Sequence, residues 1–173
     1  MHKALDLGIN FWDTADVYGD GENEKLISNV LAPNRDKVFI ATKFGFRMGK
    51  DYNFTLDTSP GYMKKAVEAS LRRLKTETID LYYAHRIDPE VPVEDMFGAM
   101  SRLVEEGKVK FLGLSEASAS SIRKAGAIHP VSALQNEFSI LTRDSEKEMI
   151  PLCKDLKITF VPFSPLSRGL FTN

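Results

Sequence analysis

Apolar residues along this chain fall into two alternating patterns. Short runs rich in branched and aromatic residues recur at Ile9 to Asp13, Val38 to Lys43, Ile79 to His85, Phe111 to Ser115, Ser132 to Gln135 and Ile158 to Phe163, and read as strands. Between them, Glu22 to Leu31, Pro60 to Leu74, Val93 to Glu106, Ser118 to Gly126 and Ser145 to Leu156 carry apolar residues at three- and four-residue steps, as Met63, Val67, Leu71 and Leu74 do, and read as helices. Strict strand–helix alternation with short links predicts right-handed βαβ units and a parallel sheet. Met1 to Leu7 reads as the last turns of a helix closed by Gly8, so the chain opens inside a structural unit. No composition shift marks a second domain, and residues 1–173 read as one.

No glycine-rich fingerprint follows any strand, which disfavours the doubly wound nucleotide fold and favours the (β/α)8 barrel. A closed barrel of this kind needs eight strands and about 250 residues, whereas six strands are legible. The expectation is an incomplete barrel of about six βα units with two unpaired edges, lacking its first and last units: a fragment, a truncated product, or a chain completed by a second chain or by a homo-oligomer.

Bulk properties narrow the function. A chain of 173 residues with 43% hydrophobic content and net charge −1 is long enough for one compact domain. Arg72, Arg73 and Lys75 are interleaved with acids, so there is no electrostatic footprint for nucleic acid. The start lacks the apolar run of a signal peptide, and no stretch is long and apolar enough to span a bilayer. The single cysteine, Cys153, cannot form an internal disulfide. A reducing cytoplasm is the expectation, with Cys153 a small core residue. No metal site is read.

Candidate chemistry gathers where strands end. The stretch Asn10 to Gly19 places Asp13 at a strand end and Tyr18 five residues on. By themselves, Asp13-Thr14 reads as a cap or turn former and Tyr18 as a half-buried anchor; Lys43 reads as an exposed strand end and His85 as a hydrogen-bonded core histidine. Together they are a carboxylate, phenol, amine and imidazole on one rim of a parallel α/β structure, where such folds bind ligands. A lysine ammonium beside the phenol is expected to lower a pKa that is ~10 in isolation, with Asp13 keeping the lysine charged. Tyr18 would then exchange a proton, and His85 would donate to a substrate carbonyl.

Asp13-Thr14-Ala15-Asp16-x-Tyr18-Gly19, Thr42-Lys43-Phe44-Gly45, Ile79-Asp80-Leu81-Tyr82-Tyr83-x-His85, Leu103-Val104-Glu105-Glu106-Gly107-Lys108-Val109 and Phe163-Ser164-Pro165-Leu166, in that order and across essentially the whole chain, resemble the aldo-keto reductases. His85-Arg86-Ile87-Asp88 and Leu114-Ser115-Glu116-Ala117-Ser118 are closest to the perakine reductase-like branch. The resemblance implies reduction of an aldehyde or ketone, with Tyr18 as general acid, Lys43 and Asp13 tuning it and His85 orienting the carbonyl. It implies NADPH as cofactor: Ser115 and Gln135 on the nicotinamide carboxamide, Phe163 stacked on the ring, and Ser164, Leu166, Arg168 and Gly169 along the pyrophosphate. Two departures stand out. Glu116 replaces a common asparagine, and Phe163 replaces a frequent tyrosine.

Basic residues that would hold an adenosine 2'-phosphate have no counterpart in the sequence. The loop from Phe46 to Ser59, with Tyr52 and Phe54, reads either as a lid lining an apolar pocket or as surface aromatics. An alternative function is a catalytically impaired or regulatory module that retains the nicotinamide cofactor.

Overall fold

The computed structural model describes residues 1–49 and 53–172. A short helix, α1 (His2–Asp6), precedes β1 (Phe11–Asp13), α2 (Glu22–Leu31) and β2 (Phe39–Phe44). A hairpin follows, β3 (Phe46–Met48) and β4 (Phe54–Leu56), then α3 (Pro60–Leu74), β5 (Ile79–Ala84), α4 (Val93–Glu105), β6 (Val109–Ser115), α5 (Ala119–Ile128), β7 (Ala133–Glu137), α6 (Met149–Leu156) and β8 (Thr159–Phe163). Six strands, in the order β1-β2-β5-β6-β7-β8, form one curled parallel sheet, a half-barrel of the (β/α)8 type. Among the described residues, β1 and β8 are its unpaired edges, and no helix is long and apolar enough to cross a membrane.

Local chemistry fixes the helices. Ser59 caps α3 by accepting from the Tyr62 N–H at 3.3 Å, Pro60 takes the first helical position, and Lys75 closes the helix at φ 54°. Ser118 caps α5 in the same way. The expected helix from Ser145 is shorter: Asp144–Glu146 is a 3₁₀ turn, and α6 starts at Met149. Pro151 explains the break, because a proline ring collides with the carbonyl four residues back and therefore belongs in a first turn. Strand β1 also starts later than expected. The Ile9 carbonyl accepts the Trp12 indole N–H at 2.9 Å and the Ile9 amide donates to Ala4, so Ile9 is tied to the end of α1.

Strand periodicity divides the core. Trp12, Ile40, Phe44, Tyr82, Leu112 and Leu134 face the helices in the main core, joined there by Cys153 of α6. Ala41, Leu81, Tyr83 and Ala133 form a smaller cluster on the concave face, with Phe39 and Val161 against it. Register aligns Lys43, Tyr83, Gly113, Ala133 and Thr159 in one row across β2, β5, β6, β7 and β8. Lower on the concave face, Phe11 stacks on Phe39 at 5.4 Å and Phe39 on Phe111 at 6.2 Å.

Gly113 lets the row close. A Cβ there would lie 2.5 Å from two ring carbons of the fully buried Tyr83 and 3.0 Å from the Ala133 carbonyl oxygen. Gly113→Ala is expected to cost about 1–3 kcal/mol through overpacking, measured as a lowered urea midpoint at unchanged slope. An unchanged midpoint would show that the ring has room to move.

Candidate active site

Because side chains alternate along a strand, the inward positions at the carboxyl ends of successive strands meet at the Tyr83 row and just beyond it. Lys43 of β2 is fully buried, not the exposed strand end that its position alone suggests. Its ammonium donates to Asp13 Oδ2 of β1 at 2.5 Å and to the Thr14 carbonyl at 2.7 Å, and lies 5.1 Å from the centroid of the Tyr18 ring. The Tyr18 and His85 rings meet edge to face at 5.8 Å, and Phe46 of β3 packs against His85 at 4.9 Å. The loop carrying Tyr18 is pinned at both ends: Thr14 N–H donates to Ala41, Asp16 N–H to Lys43, and the Thr14 hydroxyl to Asn23 Oδ1. All four candidates from the strand ends therefore form one contiguous wall of side chains.

Electrostatics departs from the expected tuning. Burial first, and Asp13 second, push the Tyr18 phenol above its ordinary value, while Arg86 pulls it back. The phenol is thus held protonated, where a neighbouring ammonium was expected to favour phenolate. Burial pulls Lys43 down from the usual lysine range against the opposing pull of Asp13. Burial, then Lys43 and Arg86, lower His85 to about 3, so its imidazole is neutral at physiological pH. Its Nδ1 has no hydrogen-bond partner among the described residues. Chemically, the wall offers a protonated phenol, a neutral imidazole and a buried ammonium around one point.

Behind it lies a second polar cluster that sequence reasoning missed. Glu24 of α2 is fully buried; it accepts the Thr42 hydroxyl at 2.7 Å and the Arg73 Nε–H of α3 at 2.6 Å. Gly21 leaves room for that arginine, since a Cβ there would come within 2.6 Å of Arg73 Cδ. Asp16 sits beside this pair, and its Oδ1 has no hydrogen-bond partner among the described residues. Burial and the nearby Glu24 raise Asp16 to about 7. Asp16 stood in a quoted motif, but its burial depends on two helices whose packing no local pattern shows.

Around the rim, Ser115 closes β6 and Gln135 lies opposite it on β7, both buried. Phe163 ends β8 opposite Glu137. Beyond it Ser164, Ser167, Arg168 and Gly169 all take positive φ, and the Ser167 and Gly169 amides close turns onto Ser164 and Leu166. A hydroxyl and a carboxamide side by side, with a phenyl ring at the next strand end, fit the amide-bearing aromatic ring of a nicotinamide. Glu116 is committed elsewhere: it accepts the Glu137 N–H at 2.8 Å.

Arg86 is the site residue that strand-end reasoning overlooked. One residue past His85, it donates from Nη1 to the His85 carbonyl at 2.7 Å and to Ser115 Oγ at 3.2 Å. In place of a plain loop from Phe46 to Ser59, the β3–β4 hairpin brings Phe46 to His85 and leaves Phe54 exposed; Tyr52 lies outside the described residues. Among the described residues, no cluster of histidine, cysteine and acidic side chains is placed to hold a metal ion.

Comparison with known proteins agrees with this architecture. The model of the aldo/keto reductase family matches residues 1–173. A Glycine max protein named "Probable aldo-keto reductase 1" is 51% identical over 169 residues, covering 97% of this chain and 49% of that protein. A glycerol dehydrogenase from Gluconobacter oxydans superposes with TM-score 0.95 at 34% identity over 99% of this chain and 54% of its own. An aldo/keto reductase from Klebsiella pneumoniae, solved with NADP and acetate, superposes with TM-score 0.82 at 26% identity over 98% and 58%. The chain thus spans about half the length of the relatives it matches.

Proposed function

Since this chain belongs to the aldo/keto reductase family, we propose that it carries the catalytic wall of an NADPH-dependent reductase that converts an aldehyde or ketone to an alcohol. One observation supports this reading above the others: a fully buried ammonium, bonded to Asp13 and Thr14, lies 5.1 Å from a phenol ring that itself touches a neutral imidazole. The NADP-bound relative supports the cofactor, and the His85-Arg86-Ile87-Asp88 stretch supports the perakine reductase-like branch.

When bound, the reduced nicotinamide supplies a hydride to the carbonyl carbon. Ser115 and Gln135 would hold its carboxamide, Phe163 would cover one face of its ring, and Ser164, Leu166, Arg168 and Gly169 would lie along the pyrophosphate, with the Arg168 guanidinium supplying the opposite charge. The substrate oxygen, accepting from His85, gains electron density as its carbon is reduced. Tyr18 then passes its phenolic proton to that oxygen, and the balance is one hydride and one proton per alcohol. Arg86 stabilises the phenolate left behind, with the Lys43 ammonium 5.1 Å from its ring. Being 41% exposed, Tyr18 recovers its proton from solvent.

With a small aldehyde in excess, the protein is expected to oxidise NADPH with one alcohol formed per cofactor consumed, followed by absorbance loss and product analysis. Quenching of cofactor fluorescence without turnover would move the assignment to a cofactor-binding module.

A further inference from the structure

We propose that Arg86 is the specificity-determining residue of this site, and that the favoured substrates are oxo acids: short aldehydes or ketones carrying a carboxylate a few bonds from the carbonyl. This rests on the reductase reading and deepens it. Arg86 is half-buried at the mouth, with its Cζ 6.0 Å from the centroid of the Phe46 ring, whose edge contacts His85. Both of its hydrogen bonds leave from Nη1, to the His85 carbonyl and to Ser115 Oγ. These anchor the guanidinium from one side. Among the described residues its Nε–H and the two N–H groups of Nη2 have no hydrogen-bond partner, and no carboxylate pairs with it.

That free edge has chemical meaning. Nε and Nη2 present two parallel N–H groups, the fork that grips a carboxylate through both oxygens. The other charges of the wall are spoken for: Lys43 is buried against Asp13, and His85 is neutral. A half-buried guanidinium without a carboxylate partner among the described residues, one residue from the imidazole that orients the carbonyl, is stabilised by an anion arriving on the substrate. A neutral carbonyl compound leaves it unpaired. Because Ser115 shares Nη1, the same residue also meets the cofactor side of the site. The competing role is therefore a cofactor contact, made through Ser115 at the carboxamide end.

The experiment compares 4-oxobutanoate with butanal, which match in length and differ in the terminal carboxylate, on the wild-type protein, Arg86→Met and Arg86→Lys. The expected result is a wild-type preference of about 10- to 100-fold in kcat/KM for the oxo acid, the scale of a charge-assisted pair. Arg86→Met abolishes that ratio by raising KM for 4-oxobutanoate, whatever common loss both substrates suffer through Ser115, and Arg86→Lys retains part of it. Equal loss on both substrates overturns the proposal and leaves the reductase reading intact. So does a weakened NADPH dissociation constant at an unchanged ratio, which would assign the guanidinium to cofactor binding. If neither compound is reduced, the reductase reading fails, and calorimetry with succinate decides on the anion. Binding that Arg86→Met removes supports the pocket; no binding overturns it.

Discussion

Tyr18→Phe is expected to lower kcat for carbonyl reduction by about 100- to 10,000-fold, the range that a positioned general acid contributes. Only one oxygen is lost, and Tyr18 is 41% exposed, so the melting temperature is expected to stay within the small range of surface substitutions. Loss of rate with retained stability and retained cofactor binding separates proton donation from scaffolding. The pH dependence adds a sign. Burial and Asp13 raise the phenol above its ordinary value, so it keeps its proton through neutral and mildly alkaline pH. The wild-type reduction rate is expected to stay level there and fall only when the phenol ionises. Alcohol oxidation, which needs the phenolate as base, is expected to rise over the same approach. A Tyr18→Phe variant that still reduces aldehydes at the wild-type rate would remove this phenol from the mechanism.

Asp16→Asn is expected to change stability by a comparable margin. An aspartate that titrates near 3.8 in the unfolded chain titrates at about 7 when folded. Between those values the folded protein holds a proton that the unfolded chain has released. Folding therefore takes up a proton, and stability declines as pH rises from about 4 to about 7. Below that window both states are protonated and Asp16 contributes nothing; above it both are ionised and the whole cost applies. A difference of about three pKa units corresponds to roughly 4 kcal/mol. Urea denaturation from pH 4 to pH 8 is expected to show Asp16→Asn gaining on the wild type across the window, until it is the more stable by roughly that amount. Parallel curves would mean that Arg73 offsets the cost of burial and the repulsion from Glu24 together.

These two residues mark what the letters made legible and what they hid. Strand ends could be read because the period-two alternation and the polar residue closing each run are local properties, so Asp13, Lys43 and His85 followed from position and parallel order. Tyr18 followed from a short offset along one pinned loop. Asp16 escaped because its unusual proton affinity comes from burial under packed helices and then from Glu24, contacts that no local pattern shows. Arg86 escaped for a different reason. It lies two residues beyond the strand and one past His85, where parity alone points away from the site, and its backbone partner turns it back. The β3–β4 hairpin has only three residues in each strand, too few for alternation to stand out from an aromatic loop.

Trp12 is the single tryptophan of the chain and is buried on the edge strand β1, its indole tied to the Ile9 carbonyl, one residue before the carboxylate that holds Lys43. Its emission is therefore a built-in optical gauge for that edge. While β1 stays paired to β2, the indole reports an apolar surrounding; a red shift signals that the edge has come away and taken Asp13 with it. Fraying of the sheet margin and dismantling of the ammonium site thus share one wavelength change, readable without any added label.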